Sequence, residues 1–223
     1  MKDEHKFCFI LCTNNKQYEE ECMFYIQHLL IPQEYQVEVL VVTDAESMCN
    51  GYNEGMNSTD AKYKIYLHQD VFIVNPHFLF DILEIFQDKS IGMIGMVGAP
   101  KMSEDGIQWN ETRYGVIYSC NILSSYKTKF CLCKKPYEEV EVIDGLMMIT
   151  QYDLPWREDL FKGFDFYDTS QSKEFVMAGY KIVVPYMEQP WCIHDDGIID
   201  LKNYYHDRDI FLEYYQHKSV NMF

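Results

Sequence analysis

Three short polar strings close apolar runs in the first third of the chain: Thr13-Asn14-Asn15, Thr43-Asp44 and His68-Gln69-Asp70. The last has the makings of a cation site. Mg²⁺ and Mn²⁺ are held by one or two carboxylates together with phosphate oxygens. Asp70 supplies such a carboxylate, and a nitrogen from His68 suits Mn²⁺ better than Mg²⁺. On an extended strand His68 and Asp70, two apart, face the same side. The first string is neither G-x-G-x-x-G nor a P-loop, so no glycine-rich cradle for phosphates follows the first apolar run. A nucleotide bound here therefore calls for a divalent cation to neutralise its phosphates.

The elements that must position these groups alternate. Lys6 to Cys12 and Val37 to Val42 are continuous apolar runs, as expected of strands covered on both faces. Between them Tyr18, Cys22, Tyr25, Ile26 and Leu29 fall on one helical face, ahead of Pro32. Two strands with a helix between them make a right-handed βαβ unit. Residues 46–58 are helical in part, and Tyr63 to Leu67 form a third strand. Asn75-Pro76 reads as a helix cap with proline in the first turn, followed by a stripe of Leu79, Ile82, Leu83 and Phe86. Ile91 to Val97 reads as a fourth strand. Strand–helix alternation of this kind means an open α/β sheet, mostly parallel, with helices on both faces. In such sheets ligands bind beyond the carboxyl ends of the strands, where all three polar strings lie.

The second half is less regular. Residues 100–137 show no clear period. Val140 to Ile149 is apolar apart from Asp144-Gly145, Asp168 to Ala178 reads as a helix stopped by Gly179, and Tyr180 to Pro185 as a strand. Residues 203–217 form a tyrosine-rich helix, part core and part a face for a second copy of the chain. No repeat or linker divides the 223 residues, so one domain over 1–223 is expected.

Composition narrows the function further. Nineteen basic against 35 acidic residues give a formal charge of −16, which argues against gripping a nucleic acid backbone or an anionic membrane. No stretch approaches the ~18 apolar residues of a spanning helix, and the N-terminus lacks a signal-peptide pattern. Eight cysteines scattered through the chain, several inside apolar runs, suit a reduced cytoplasmic protein. Cys131-Leu132-Cys133 is not C-x-x-C and has no matching second pair, so it reads as structural.

Longer motifs carry a family resemblance. Asn53-Glu54-Gly55 followed by Ala61 to Asp70 resembles the inverting family-2 glycosyltransferases of the GT-A fold, which have Asn-x-Gly and then an aromatic strand ending in Asp-x-Asp. Gly163 to Asp168, with Gly179-Tyr180-Lys181 after it, is similar to that family's Glu-Asp motif, helix and Gly-Tyr-Lys strand. Trp191-Cys192-Ile193-His194 resembles its late histidine. More narrowly, His68 to Val71, Ile91 to Ala99, Asp144-Gly145 and Phe166-Tyr167-Asp168 resemble the glycosyltransferase-like group that includes a streptomycin-biosynthesis protein. The likeness covers roughly residues 7–197. It departs from the family at three places: His68 stands for the first aspartate of Asp-x-Asp, Tyr167 for the glutamate before the catalytic aspartate, and Tyr52 for an arginine before Asn-x-Gly.

The resemblance implies a transferase that moves a sugar from a nucleotide-diphosphate donor, a UDP-sugar first among them, to a saccharide or small-molecule hydroxyl, with inversion. Asp168 would be the base. Asp70, with His68 and His194, would hold Mn²⁺ or Mg²⁺ at the diphosphate. Thr13, Asn14, Asp44, Asn53 and Gln69 would hold the nucleotide. Asp144, Gly145 and Trp191 would meet donor or acceptor sugar, with Trp109 and Trp156 as further flat faces. Two simpler readings stand beside these: Asp168 as a helix N-cap, and His194-Asp195-Asp196-Gly197 as a solvated turn. A different class also fits the departures, a degenerate sugar-nucleotide-binding protein acting as a partner or regulator. A nucleotidyltransferase fits less well, because the activating glycine-rich loop and basic lysine are missing.

Overall fold

In the computed structural model, residues 2–120, 124–131, 133–195, 197 and 201–216 are described. The first 99 residues alternate: β1 (Asp3–Thr13), α1 (Lys16–Gln27), β2 (Gln36–Thr43), α2 (Met48–Asn57), β3 (Ala61–His68), β4 (Val71–Ile73), α3 (Phe78–Ile85), β5 (Ile91–Gly95) and β6 (Val97–Ala99). A 3₁₀ turn at Gln108–Asn110 leads to β7 (Tyr114–Cys120), β8 (Ser125–Lys129), β9 (Tyr137–Val140), β10 (Val142–Ile143) and β11 (Met147–Thr150). Then come α4 (Tyr167–Met177), β12 (Lys181–Pro185), β13 (Cys192–Asp195) and α5 (Tyr204–Phe211), which runs on into a π-turn, Leu212–Gln216.

The main sheet has the order β2-β1-β3-β11-β5-β12-β9. Five of its strands share one direction; β11 and β9 run against them. A smaller sheet runs β10-β6-β7-β13-β4, with β8 on β7. The apolar run from Ile91 is thus not one strand. It breaks at Met96, and its second part crosses into the smaller sheet, which carries chain from the main sheet toward His194.

Helices cover both faces of the main sheet. On one face Gly51 and Gly55 of α2 lie against Cys12 and Ile10 of β1. On the other, Phe7 meets Tyr63, and Phe86, just past α3, stacks on Tyr63. Phe7 and Ile10, three apart on an extended strand, point to opposite faces. β2 is only half-buried, because it is the edge strand and lacks the double cover expected for it. Asn15 caps α1, accepting from the N–H groups of Gln17 and Tyr18. Pro76 lies in a turn before α3, whose cap position is His77; Asn75 instead accepts from the N–H of His77. Gly179, at φ +87°, ends α4 in the left-handed region that a side chain disfavours. Among the described residues no helix is long and apolar enough to cross a membrane.

Candidate functional site

Parallel pairing in register brings the three polar strings to one edge: Thr13 lies opposite Thr43, and Cys12 opposite His68. Gln69 stitches that edge together. Its Oε1 accepts from the Thr13 hydroxyl at 2.8 Å and from the N–H groups of Asn14 and Asn15 at 3.1 and 3.0 Å, and its Nε2 donates to Asn14 Oδ1 at 2.8 Å. Asp44 is exposed at the end of β2, with φ +57°.

His68, Asp70 and His194 converge beside this edge. Strand alternation does not bring them there. β3 ends at His68, and the turn Gln69-Asp70 folds the carboxylate back toward the ring. β13 then brings in His194, pairing antiparallel with β4 so that His194 lies opposite Val71. Asp70 Oδ1 is 3.8 Å from both His68 Nδ1 and His194 Nε2, and ligand atoms from all three residues lie within 4.8 Å of one another. Asp70 Oδ1 is buried with no hydrogen-bond partner. Burial raises the Asp70 carboxyl, and the charge of His194 opposes that rise. Burial, reinforced by His194, lowers His68 to about 4, so its ring is neutral near pH 7, as a ligand must be. Two imidazoles and an unsatisfied carboxylate oxygen are a donor set that fits a divalent transition metal. Asp195 does not belong to a solvated turn: it closes β13, its N–H donates to Asp70 O, and its carboxylate accepts from Tyr18. Asp196 lies outside the described residues.

Asp168 lies in the first turn of α4 and is not its N-cap; Phe166, at φ +56°, occupies that position. The Asp168 carboxylate is buried and accepts four hydrogen bonds. Thr169 N–H and Oγ1 reach Oδ1 at 2.7 and 3.1 Å; Gly145 N–H and Gln108 Nε2 reach Oδ2 at 2.9 and 3.3 Å. Burial first, and the like charge of Asp144 second, push it up to about 6, against the pull of Thr169 and Gly145. It lines a cavity of about 130 Å³ with His68, Gln108, Trp109, Asp144, Phe164, Tyr167 and Tyr204. Trp109 is 43% exposed and stacks on Tyr204, with ring centroids 5.0 Å apart.

Several expected residues are placed elsewhere. Asn53 is taken up by the chain itself: its amide donates to Trp156 O and accepts from Trp156 N–H, at 3.0 and 2.9 Å. Trp156 is buried against Tyr52 and Tyr66. Trp191 precedes β13, three residues and one strand face away from His194. It packs edge-on to Phe78 and lines a separate, larger cleft of about 510 Å³ with Tyr137, Tyr186 and carboxylates of α3. In the tyrosine-rich helix Tyr204 and Tyr215 are buried within the chain, while Tyr205 is 54% exposed. Gln108 and Tyr204 were not foreseen at the site. Gln108 comes from the aperiodic stretch 100–137, and the contact of Tyr204 with Trp109 has no local signal.

Residues 8–215 match a family described as glycosyltransferase-like. No curated protein sequence matches the chain. Among solved structures, S. aureus TarS 1-349 in complex with UDP is 12% identical with a TM-score of 0.55, over 92% of this chain and 64% of TarS 1-349. A mannosyltransferase from Pyrobaculum calidifontis in complex with GDP-Man and Mn²⁺ is 11% identical with a TM-score of 0.55, over 97% of this chain and 72% of that one. GalNAc-T7 with UDP, GalNAc and Mn²⁺ is 9% identical with a TM-score of 0.58, over 92% and 46%. The chain thus spans just under two thirds of TarS 1-349 and less than half of GalNAc-T7.

Proposed function

The chain belongs to the glycosyltransferase-like family and has the GT-A fold, and from that premise we propose that it moves a sugar from a nucleoside-diphosphate donor to a hydroxyl acceptor with inversion. The observation that carries the reading is the buried Asp168 carboxylate at the head of α4, lining the same cavity as His68. The reading takes residues 1–223 as one transferase domain. The description of the matching family names no streptomycin-biosynthesis group.

Asp168 is the base. An inverting transfer needs a proton acceptor beside the attacking hydroxyl, on the face of the sugar opposite the leaving nucleotide. A carboxyl group at about 6 is ionised near pH 7 and still basic enough to take the proton as the bond forms. The donors from Thr169, Gly145 and Gln108 hold its orientation. Asp144, in the same cavity, faces the donor or acceptor sugar, and the open side of Trp109 offers a flat apolar surface for a pyranose ring.

His68, Asp70 and His194 are the residues that would hold Mn²⁺ or Mg²⁺. When bound, the cation would offset the charge that builds on the departing diphosphate. The Gln69-Thr13-Asn14 network shapes the floor on which the nucleoside rests, and Asp44 at the rim accepts from base or ribose. UDP- and GDP-sugars are the first donors to test, because TarS holds UDP and the Pyrobaculum mannosyltransferase holds GDP-Man with Mn²⁺.

The test is turnover. Purified protein is incubated with UDP-, GDP- and dTDP-sugars with Mn²⁺, with Mg²⁺ or with chelator, and nucleoside diphosphate release is followed by chromatography. Release with at least one donor, dependent on cation, supports cleavage of the donor at this site, with water taking the sugar where no other acceptor is present. Nucleotide binding without release from any donor favours a binding protein over an enzyme.

A further inference from the structure

Tyr167 sits where α4 enters the sheet edge. The left-handed turn at Phe166 swings its side chain inward, where it is buried. Its ring is wedged among Tyr52 and Trp156, with centroids 5.9 and 6.3 Å away. Its hydroxyl is hydrogen-bonded to Nε2 of His68. Gly145 leaves the seat open: any Cβ there would collide with the Tyr167 hydroxyl and ring. Ring and hydroxyl are therefore held from three sides.

That contact decides what His68 can offer. With Nε2 taken by Tyr167, Nδ1 is the nitrogen that faces Asp70. A neutral imidazole carries one N–H. A tyrosine hydroxyl can accept or donate. When Nε2–H donates to the Tyr167 oxygen, the Nδ1 lone pair is left facing Asp70 and His194. When the hydroxyl donates to Nε2, the proton sits on Nδ1 and blocks that lone pair. Metal-binding histidines generally have the ring and tautomer fixed by an outer partner on the other nitrogen.

We propose that Tyr167 is the positioning residue of the His68-Asp70-His194 site, holding the His68 ring and selecting the Nε2–H tautomer so that Nδ1 faces the cation. The inference rests on the cation reading given above. It adds a tie between the two halves of the site, because Gly145 both seats Tyr167 and donates its N–H to Asp168. Tyr167 and Asp168 are consecutive, so the cation ligand and the base are set by the same first turn of α4.

The test is Mn²⁺ binding alone, measured by calorimetry and by loss of the free-Mn²⁺ electron spin resonance signal, on the full chain and on Tyr167→Phe and Asp70→Ala. Tyr167→Phe is expected to weaken Mn²⁺ binding by about 10–100-fold, while its melting temperature in chelator stays within a few degrees of the parent. Asp70→Ala is expected to abolish binding. If Asp70→Ala abolishes binding and Tyr167→Phe binds as the parent does, the role of Tyr167 is overturned and the cation site stands. If the parent binds no Mn²⁺, or Asp70→Ala binds as the parent does, both fall. Should Tyr167→Phe fail to fold, ¹⁵N-histidine spectra of the parent with Zn²⁺ decide. The expected spectrum shows the metal on Nδ1 of His68 and a proton on Nε2; metal on Nε2, or no change at His68, overturns the proposal.

Discussion

Asp168→Asn separates a catalytic carboxylate from a structural one, and the structure sets the size of each effect. The fold moves this carboxyl from its ordinary 3.8 to about 6. At ~1.4 kcal/mol per pH unit, keeping the charged form buried near neutral pH costs about 3 kcal/mol. The sign follows from proton binding. Between about pH 4 and 6 the folded chain holds a proton that the unfolded chain has lost, so this group's contribution to stability declines as pH rises through that window and is level above it. Asparagine removes the charge and with it that decline. It also puts an amide where Gly145 N–H and Gln108 Nε2 now donate. Each buried N–H left without an acceptor costs about 1–3 kcal/mol. The two effects nearly cancel, so the variant should melt near the parent at pH 7.5, and its stability should decline less than the parent's between pH 4 and 6. Donor turnover should fall by about 10²–10⁴-fold, the range for removing a general base. Parent turnover should rise with pH through about 6 and then level. Paired thermal melts and nucleoside diphosphate release across pH 4.5–8.5 measure all of this. Parent-like turnover in Asp168→Asn, or a parent profile without an inflection near 6, refutes the assignment of the base.

Three further outcomes follow from single contacts. Asp70→Asn removes a buried carboxylate charge that has no hydrogen-bond partner at Oδ1; its melting temperature in chelator should equal or exceed the parent's. The rise that Mn²⁺ gives the parent, about 2.7 kcal/mol at a hundred times Kd, should be absent in the same scan. Gly145→Ala forces a methyl into the Tyr167 hydroxyl, an overpacking worth about 1–3 kcal/mol, read as a loss of about 2–4 °C per kcal/mol together with weaker Mn²⁺ binding. Asn53→Ala leaves the backbone N–H and C=O of Trp156 without their side-chain partners and should cost about 1–3 kcal/mol for each in a denaturant melt while leaving UDP affinity unchanged.

The parts of the fold that could be read directly are those with a local period. The apolar runs of β1, β2 and β3 and the polar strings that end them needed only parallel pairing to bring Thr13, Asp44 and His68 to one edge. The convergence of His194 on Asp70 was legible only through family likeness, because it depends on β13 pairing with β4 across more than a hundred residues. A continuous apolar run from Ile91 carries no mark of the break at Met96, since both segments are fully buried and nothing in residue type separates one sheet from the next. Asn53 was expected at the nucleotide through the family's Asn-x-Gly motif, and nothing near it in the chain points to the backbone segment 103 residues away that takes up its amide. Gln108 and Trp109 lie in a stretch with no period, where side-chain chemistry gives no direction. Tyr167 stood out as a departure from the family, but only its contact with His68 gives that departure a use.

A nucleotide and a cation are expected to meet at His68, Asp70 and His194. Calorimetric titration of UDP and GDP into the parent and into Asp70→Asn, each with Mn²⁺ and with chelator, measures this. At least one nucleotide should bind the parent with Mn²⁺, and its affinity should fall tenfold or more in chelator and in Asp70→Asn alike. Binding that is equally strong in chelator and in Asp70→Asn, or no binding of either nucleotide with Mn²⁺ present, contradicts it.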